Sequence, residues 1–266
     1  MTTQLSVFAA EAAASAGRIG EAVASLPVSL RPGSAEADLV GIAGAPGWTS
    51  AATDAIQAGA SGVLVANPVP EDVTELQALI SRRQIPLVID GPWAYNPAVT
   101  DSAPAFTERN DAESTLQVRV TEAVGSDLDQ VLVGQLALVR ALLGPVVDLR
   151  LDRHNRQGYD ATGRLKSGAL VSLAAILTNA VDPSAVVHLV KATTAVRLSV
   201  PNAATAAAGS AVVSTERGAT LLATKWETAH RVAWRTLHEL VTSGSTCADL
   251  GAFAEDVALA SHTARP

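Results

Sequence analysis

Cysteine, aromatic residues and basic charge are all scarce in this 266-residue chain, and each scarcity excludes something. The single cysteine, Cys247, rules out an intrachain disulfide. No histidine stands near it in a recognisable pattern, so it reads as a small residue beside a helix start rather than as a nucleophile. Nine aromatic residues are too few for a base-stacking platform. The net charge of −7 provides no basic field, and nucleic acid is not an expected partner. No apolar run reaches the roughly 18 to 20 residues that span a bilayer, so a membrane partner is not expected either. The stretch MTTQLSVFAAEAAASAG has no basic n-region and carries an early acidic residue. A signal peptide is therefore not expected, and the cytoplasm is the expected location. There is no G-x-S-x-G elbow for Ser/His/Asp chemistry.

What is present is enough apolar residue for a core: 48% hydrophobic against 17% charged. Residues 39–43 (LVGIA) and 62–65 are continuous apolar runs, typical of strands buried on both faces. Shorter runs at 5–8, 28–30 and 86–89 read as further strands. Between them, helices are expected over 9–26, 48–58 and 71–83. The second is closed by Gly59. The third has acidic residues in its first turn and arginines in its last, as the helix dipole favours. Strand–helix alternation with short loops implies a parallel sheet covered by helices.

The pattern changes after Asn96-Pro97. Residues 98–114 read as a linker or irregular helix, 116–122 as a half-exposed strand and 128–143 as a helix ending at Gly144-Pro145. Strand-like runs follow at 146–153, 169–177, 186–191, 195–200 and 211–214. Closing helices are expected over 226–241 and 248–261. This half is α+β, with an antiparallel sheet and helices on one face.

Several segments, in this order, resemble the Gfo/Idh/MocA (glucose–fructose oxidoreductase/inositol dehydrogenase) family. ADLVGIAGAPGWTSAATDAIQAGASGVLVANPVPEDVTELQALISRRQIPLVI is similar to the later Rossmann half of that family. LVRALLGPV resembles the helix that opens its second domain, and SGALVSLAA one of its strands. HRVAWRTLHELVTSG with DLGAFAEDVALA resembles its closing helix pair. The resemblance implies a truncated Rossmann-like parallel sheet over 1–97 and a predominantly antiparallel sheet domain over 98–266. It also implies an oligomer: a homo-oligomer through the antiparallel sheet, or a hetero-oligomer with an active relative.

Three chemical signatures of that family are missing. Its NAD(P) pyrophosphate lies against a glycine-rich turn after the first strand, at a helix N-terminus. Here that stretch is Phe8-Ala9-Ala10-Glu11-Ala12-Ala13-Ala14, without glycine. Each Cβ would crowd the phosphates, and Glu11 would oppose their charge. Gly17 and Gly20 come later, where helix packing is their expected role. The family's Glu-Lys-Pro turn is here Ala66-Asn67-Pro68, which keeps the proline and lacks the lysine. Its Asp and His, one helical turn apart, correspond to Gln130 and Gly134, neither of which shuttles a proton. Leu39 comes only eleven positions after Val28, where the second strand begins, so a helix–strand unit is expected to be missing.

The expectation is a protein with the oxidoreductase plan that has lost NAD(P) binding, with no cofactor, no catalytic residue and no metal. Two alternatives stay open. One is an active NAD- or NADP-dependent sugar or cyclitol dehydrogenase with an atypical turn. The other is a structural oligomerisation protein. Asn67, Asp90, Trp93, Tyr95 and Asn96 fall just past the ends of parallel strands, where ligands of open α/β sheets bind. They are candidate contacts for a sugar-like ligand, and a domain-junction plug is the competing reading. His154, Arg156, Tyr159, Asp160 and Lys166 read as a solvated hairpin without metal-ligand spacing. His230, Trp234 and His238 recur every four residues and read as one buried or interfacial helix stripe.

Overall fold

The computed structural model describes residues 4–205 and 207–263. They form two compact units. The first holds the described residues through Tyr95 together with Ala229–Glu255. The second holds Asn96–Thr228 and the described residues from Asp256 on.

The first unit is built on five parallel strands: β1 (Leu5–Ala9), β2 (Leu30–Pro32), β3 (Leu39–Ala43), β4 (Gly62–Ala66) and β5 (Leu87–Asp90). Their order across the sheet is β2-β1-β3-β4-β5. Chain order reverses between β1 and β3, the switch point at which doubly wound sheets bind ligands. Only loop joins β2 to β3, so no helix–strand unit lies between them, as the short spacing implied.

β4 is buried at every residue because both of its faces are covered. Leu39, Leu64 and Val88 join one apolar cluster with Ile19, Val23, Trp234 and Leu237. On the sheet's other face α3 (Trp48–Gln57) packs against β3 and β4, and α4 (Thr74–Arg83) packs against α3. Trp48 meets Phe253 edge to face, with ring centroids 5.7 Å apart.

The helix expected over 9–26 is instead two short ones, α1 (Glu11–Ala16) and α2 (Ile19–Ala24). The chain breaks at Arg18, which adopts left-handed backbone with φ 45°. Gly17 marks the reason. A Cβ there would lie 3.1 Å from the Ala66 side chain, so the end of α1 is pressed against β4. Gly20 has open space around it and does not serve packing.

The second unit contains α5 (Pro97–Arg109), β6 (Thr115–Glu122), α6 (Leu128–Leu143), β7 (Val146–Asn155), β8 (Gly158–Leu165), β9 (Leu170–Leu177), β10 (Ser184–Val190), β11 (Thr194–Pro201), β12 (Ser210–Thr215) and β13 (Gly218–Leu221). Its eight strands run β13-β12-β11-β10-β6-β9-β8-β7. Every pairing is antiparallel except β6 with β9.

Alternate residues, among them Val118, Leu173, Val187 and Leu198, are buried on one face. α6 packs on β6 to β9, and α5 on β11 and β12. In the middle of that face, Gln135 Nε2 donates to the carbonyls of Val118 (2.9 Å) and Ala174 (3.3 Å). Its Oε1 accepts from the Tyr159 hydroxyl at 2.7 Å. Both ends of a buried amide are thus satisfied.

The stretch over 98–114, expected as a linker or irregular helix, is mostly helix. Asn96 accepts from the Ala98 N–H and Pro97 takes the first helical position, so Asn-Pro starts α5 rather than ending an element. The closing helices are α7 (Ala229–Ser243) and α8 (Asp249–His262).

Candidate functional site at the carboxyl ends of the parallel strands

The ends of β1, β3, β4 and β5 form the rim at which an open α/β sheet offers a site. After β1, the chain passes through Ala10, whose extended backbone (φ −64°, ψ 158°) contributes no side-chain cap to α1. α1 is six residues long and carries Glu11 in its first turn.

After β3, Gly44 is held by two backbone bonds. Its N–H donates to Ala66 O (2.8 Å), and its carbonyl accepts from Val69 N (2.7 Å). A Cβ on Gly44 would lie 2.2 Å from the Pro68 Cα, so only glycine lets these two loops meet. The N-terminus of α3 is taken by Glu71. One carboxylate oxygen accepts from the Gly47 N–H, and the other from the Thr49 hydroxyl (3.0 Å) and N–H (3.4 Å).

After β4, Asn67 stands in left-handed backbone (φ 50°) and is half-buried. Its N–H donates to the Asp90 carbonyl at 2.9 Å, tying the ends of β4 and β5 together.

Asp90 ends β5 and is fully buried. Its Oδ2 lies 2.7 Å from Nδ1 of His230, in the first turn of α7, while its Oδ1 is buried with no hydrogen-bond partner. Burial pushes the Asp90 carboxyl above the usual carboxylate range, more than the His230 contact lowers it. Burial alone would depress His230, but the Asp90 hydrogen bond and charge outweigh it and hold the imidazole above its ordinary value. Both partners therefore grip their protons more firmly than they would in water.

The five expected ligand residues separate. Asn67 and Asp90 share the rim through their backbone bond. Trp93 is 1% exposed and buried in packing. The Tyr95 hydroxyl donates to Asp249 Oδ2 at 2.5 Å, which also accepts from Ile89 N at 3.3 Å. Burial, then the Asp249 charge, raises the Tyr95 phenol. Asn96 is buried, and its amide oxygen caps α5 in the second unit.

The stripe His230, Trp234 and His238 is buried along α7. Cys247 donates its thiol to Leu87 O at 3.0 Å, and burial raises its pKa. The stretch over 153–169 contains a strand the sequence reading missed. β7 and β8 form a hairpin there, with His154 and Arg156 at its tip and Tyr159 in the core. On α6, Gln130 and Gly134 stand where the family resemblance places an acid and a histidine. Among the described residues, no group of three or more His, Cys, Asp or Glu side chains is placed to hold a metal.

What sequence reasoning missed is His230 as the partner of Asp90. The i, i+4, i+8 stripe marked the buried face of α7, but nothing local pointed across 140 residues to the end of β5.

No family model and no curated protein matches the chain. Solved structures do. A mutant of KijD10, a 3-ketoreductase from Actinomadura kijaniata, in complex with TDP-benzene and NADP, is similar with a TM-score of 0.74 at 15% identity. The match covers 98% of this chain and 97% of that one. UDP-N-acetylglucosamine 3-dehydrogenase GnnA from Acidithiobacillus ferrooxidans matches with a TM-score of 0.68 at 16% identity, over 98% and 97% of the two chains. An oxidoreductase from Agrobacterium radiobacter, in complex with NAD+, L-tartaric acid and magnesium, matches with a TM-score of 0.67 at 13% identity, over 98% and 95%. At these identities the likeness is one of fold.

Proposed function

The chain has the two-domain fold of the Gfo/Idh/MocA oxidoreductases, and from that premise we propose that it has given up NAD(P)-dependent dehydrogenation and serves as a sugar- or cyclitol-binding protein or as a partner subunit. One observation carries this reading: the turn after β1. A dinucleotide needs a backbone that its pyrophosphate can approach and a helix N-terminus aimed at it. Here no glycine stands between Ala9 and Ala16, α1 is a six-residue helix, and Glu11 occupies its first turn. The residues present do not fit the group.

The other two departures point the same way. Asn67 replaces the lysine at the end of β4, and α6 carries Gln130 and Gly134 in place of a proton-transferring pair. Asn67 is the residue assigned to ligand contact. Asp90 stands behind it, fixing its turn through the backbone. Trp93, Tyr95 and Asn96 are assigned to packing, to the Asp249 bond and to the α5 cap.

The test is binding of NADPH followed by energy transfer from tryptophan to the reduced nicotinamide, with NADH in parallel. No transfer up to about 1 mM is expected, the weak end of ordinary ligand affinities. Saturable one-to-one binding in the micromolar range sinks the reading.

The second reading is an active NAD(P)-dependent sugar or cyclitol dehydrogenase with an atypical turn. The similar structures that were solved in complex with NADP or NAD+ favour it. So does Arg31 in β2, the edge strand next to β1, since an arginine near the first strands of such a sheet can accommodate a 2′-phosphate. It predicts hydride transfer. A polyol panel screened at alkaline pH while nicotinamide absorbance is followed separates the two, and a flat trace favours the first.

We also propose that the protein is an oligomer through the open face of the eight-stranded sheet. There Leu170 and Ile176 are 49% and 44% exposed along β9, with Arg164, Asp160 and Arg119 beside them on the neighbouring strands. Light scattering tests this, and a monomer at micromolar concentration refutes it.

A further inference from the structure

The Asp90–His230 contact has a consequence for α7 that is independent of any ligand at the rim. Three observations define it. The pair is sealed: Asp90 is 0% and His230 3% exposed. It is undersatisfied, because among the described residues Asp90 Oδ1 has no hydrogen-bond partner and the imidazole is the only side chain bonded to the carboxylate. And it stands at the very start of α7, whose later turns are held by apolar packing of Ala233, Trp234 and Leu237. A carboxylate in such a place is tolerable when it is paired, and costly when the pairing charge is withdrawn.

We propose that Asp90–His230 is a protonation-gated latch: with the imidazolium in place the first turn of α7 is docked on the carboxyl end of β5, and loss of that proton leaves a buried carboxylate without countercharge and lifts the turn from the sheet.

The groups facing the pair come from each element packed against α7. β4 contributes none, since Gly62–Ala66 are all uncharged. β5 contributes Asp90 itself, and Tyr95 beyond it feels the Asp90 charge. α2 contributes Glu21, and Arg18 precedes it. Arg18 lowers the histidine's affinity for its proton and Glu21 raises it, and the two form an exposed ion pair at 3.8 Å, so their effects on the latch largely offset. Beside the latch, Arg231 on α7 donates its Nε to the Ser25 hydroxyl at 3.1 Å.

The sign follows from proton linkage. His230 is held above the ordinary histidine value of 6.5, and Asp90 above 3.8. The docked state therefore binds more protons than the open one. Docking is favoured below the ordinary histidine value and weakens as pH rises through the folded value above it. One released proton raises the opening constant at most about tenfold per pH unit.

The experiment is hydrogen–deuterium exchange of the full-length protein from pH 6 to 9, with each peptide corrected for intrinsic exchange. From the ordinary histidine value of 6.5 up to the higher docked value, the first turns of α7 are expected to lose protection by up to about tenfold per pH unit and then to level off, while α3 and α4 stay flat. Asp90→Asn keeps the shape and removes the charge, and is expected to abolish the pH dependence. A paired variant, Asp90→Leu with His230→Leu, gives the same expectation if the amide variant folds poorly. Protection of α7 that is flat in the unaltered protein overturns the proposal. Protection that falls equally in every element also overturns it, because the opening would then be global unfolding.

Discussion

Tyr159 and Gln135 meet at 2.7 Å in the middle of the second unit's core, 24 residues apart in sequence. Tyr159→Phe would leave the Gln135 oxygen buried and unpaired. A loss of about 1–3 kcal/mol in urea unfolding is expected, and a loss below about 0.5 kcal/mol would mean that water or another donor replaces the hydroxyl. Gly44 is stricter. Gly44→Ala drives a Cβ into the Pro68 backbone, which has no rotamer with which to yield. A loss of about 3 kcal/mol or more is expected by the same measurement. Little of this was legible beforehand. The composition marked Tyr159 as one polar residue in a polar stretch, although it is fully buried, because a strand alternates its faces whatever the mean polarity of the segment. Asp90 was found by its place at a strand end. His230 was not found as its partner, because the contact depends on how α7 returns to the sheet.

Elements were legible where burial on two faces makes a continuous apolar run. β3, β4 and β5 appear in sequence as LVGIA, GVLVA and LVID and in the structure as the centre and one edge of the parallel sheet. They were illegible where a local signal has two meanings. Asn96-Pro97 ends many elements but here begins α5, and Asn96→Ala is expected to cost about 1 kcal/mol through loss of the cap. A ligand role for Asn96 would instead change sugar affinity at unchanged stability, which distinguishes the two assignments. The break between α1 and α2 depends on the approach of Ala66, so no periodicity within 9–26 could reveal it. β13 escaped notice because all four of its residues are exposed, which leaves no alternation to detect.

At the scale of the molecule, the two-sheet plan was legible because the order of its weak segments is that of a known architecture. The pairing of β6 with β9 in parallel was not, since register between distant strands leaves no local mark. The division of the chain was expected at 97/98. The compact units instead return Ala229–Glu255 to the parallel sheet, a placement that apolar patterning alone does not specify.

Two ionisable sites contribute to the pH dependence of stability with opposite signs. Asp38 is held below 3.8 by the hydroxyl and N–H of Ser6, so its contribution is present above that value and fades as pH falls through the depressed folded one. The Asp90–His230 pair has the opposite sign and loses its contribution as pH rises above 6.5. Urea midpoints are thus expected to peak in between, and Asp90→Asn is expected to flatten the alkaline side only. A midpoint still rising at pH 9 would contradict this.

The central claim is that the turn from β1 to α1 no longer receives a dinucleotide. Isothermal titration calorimetry of the full-length protein with NADP+ and with NAD+ tests it most directly, at protein concentrations high enough to register dissociation constants of about 1 mM. The account predicts no saturable heat with either nucleotide. A one-to-one isotherm with a dissociation constant of about 10 μM or tighter would contradict it.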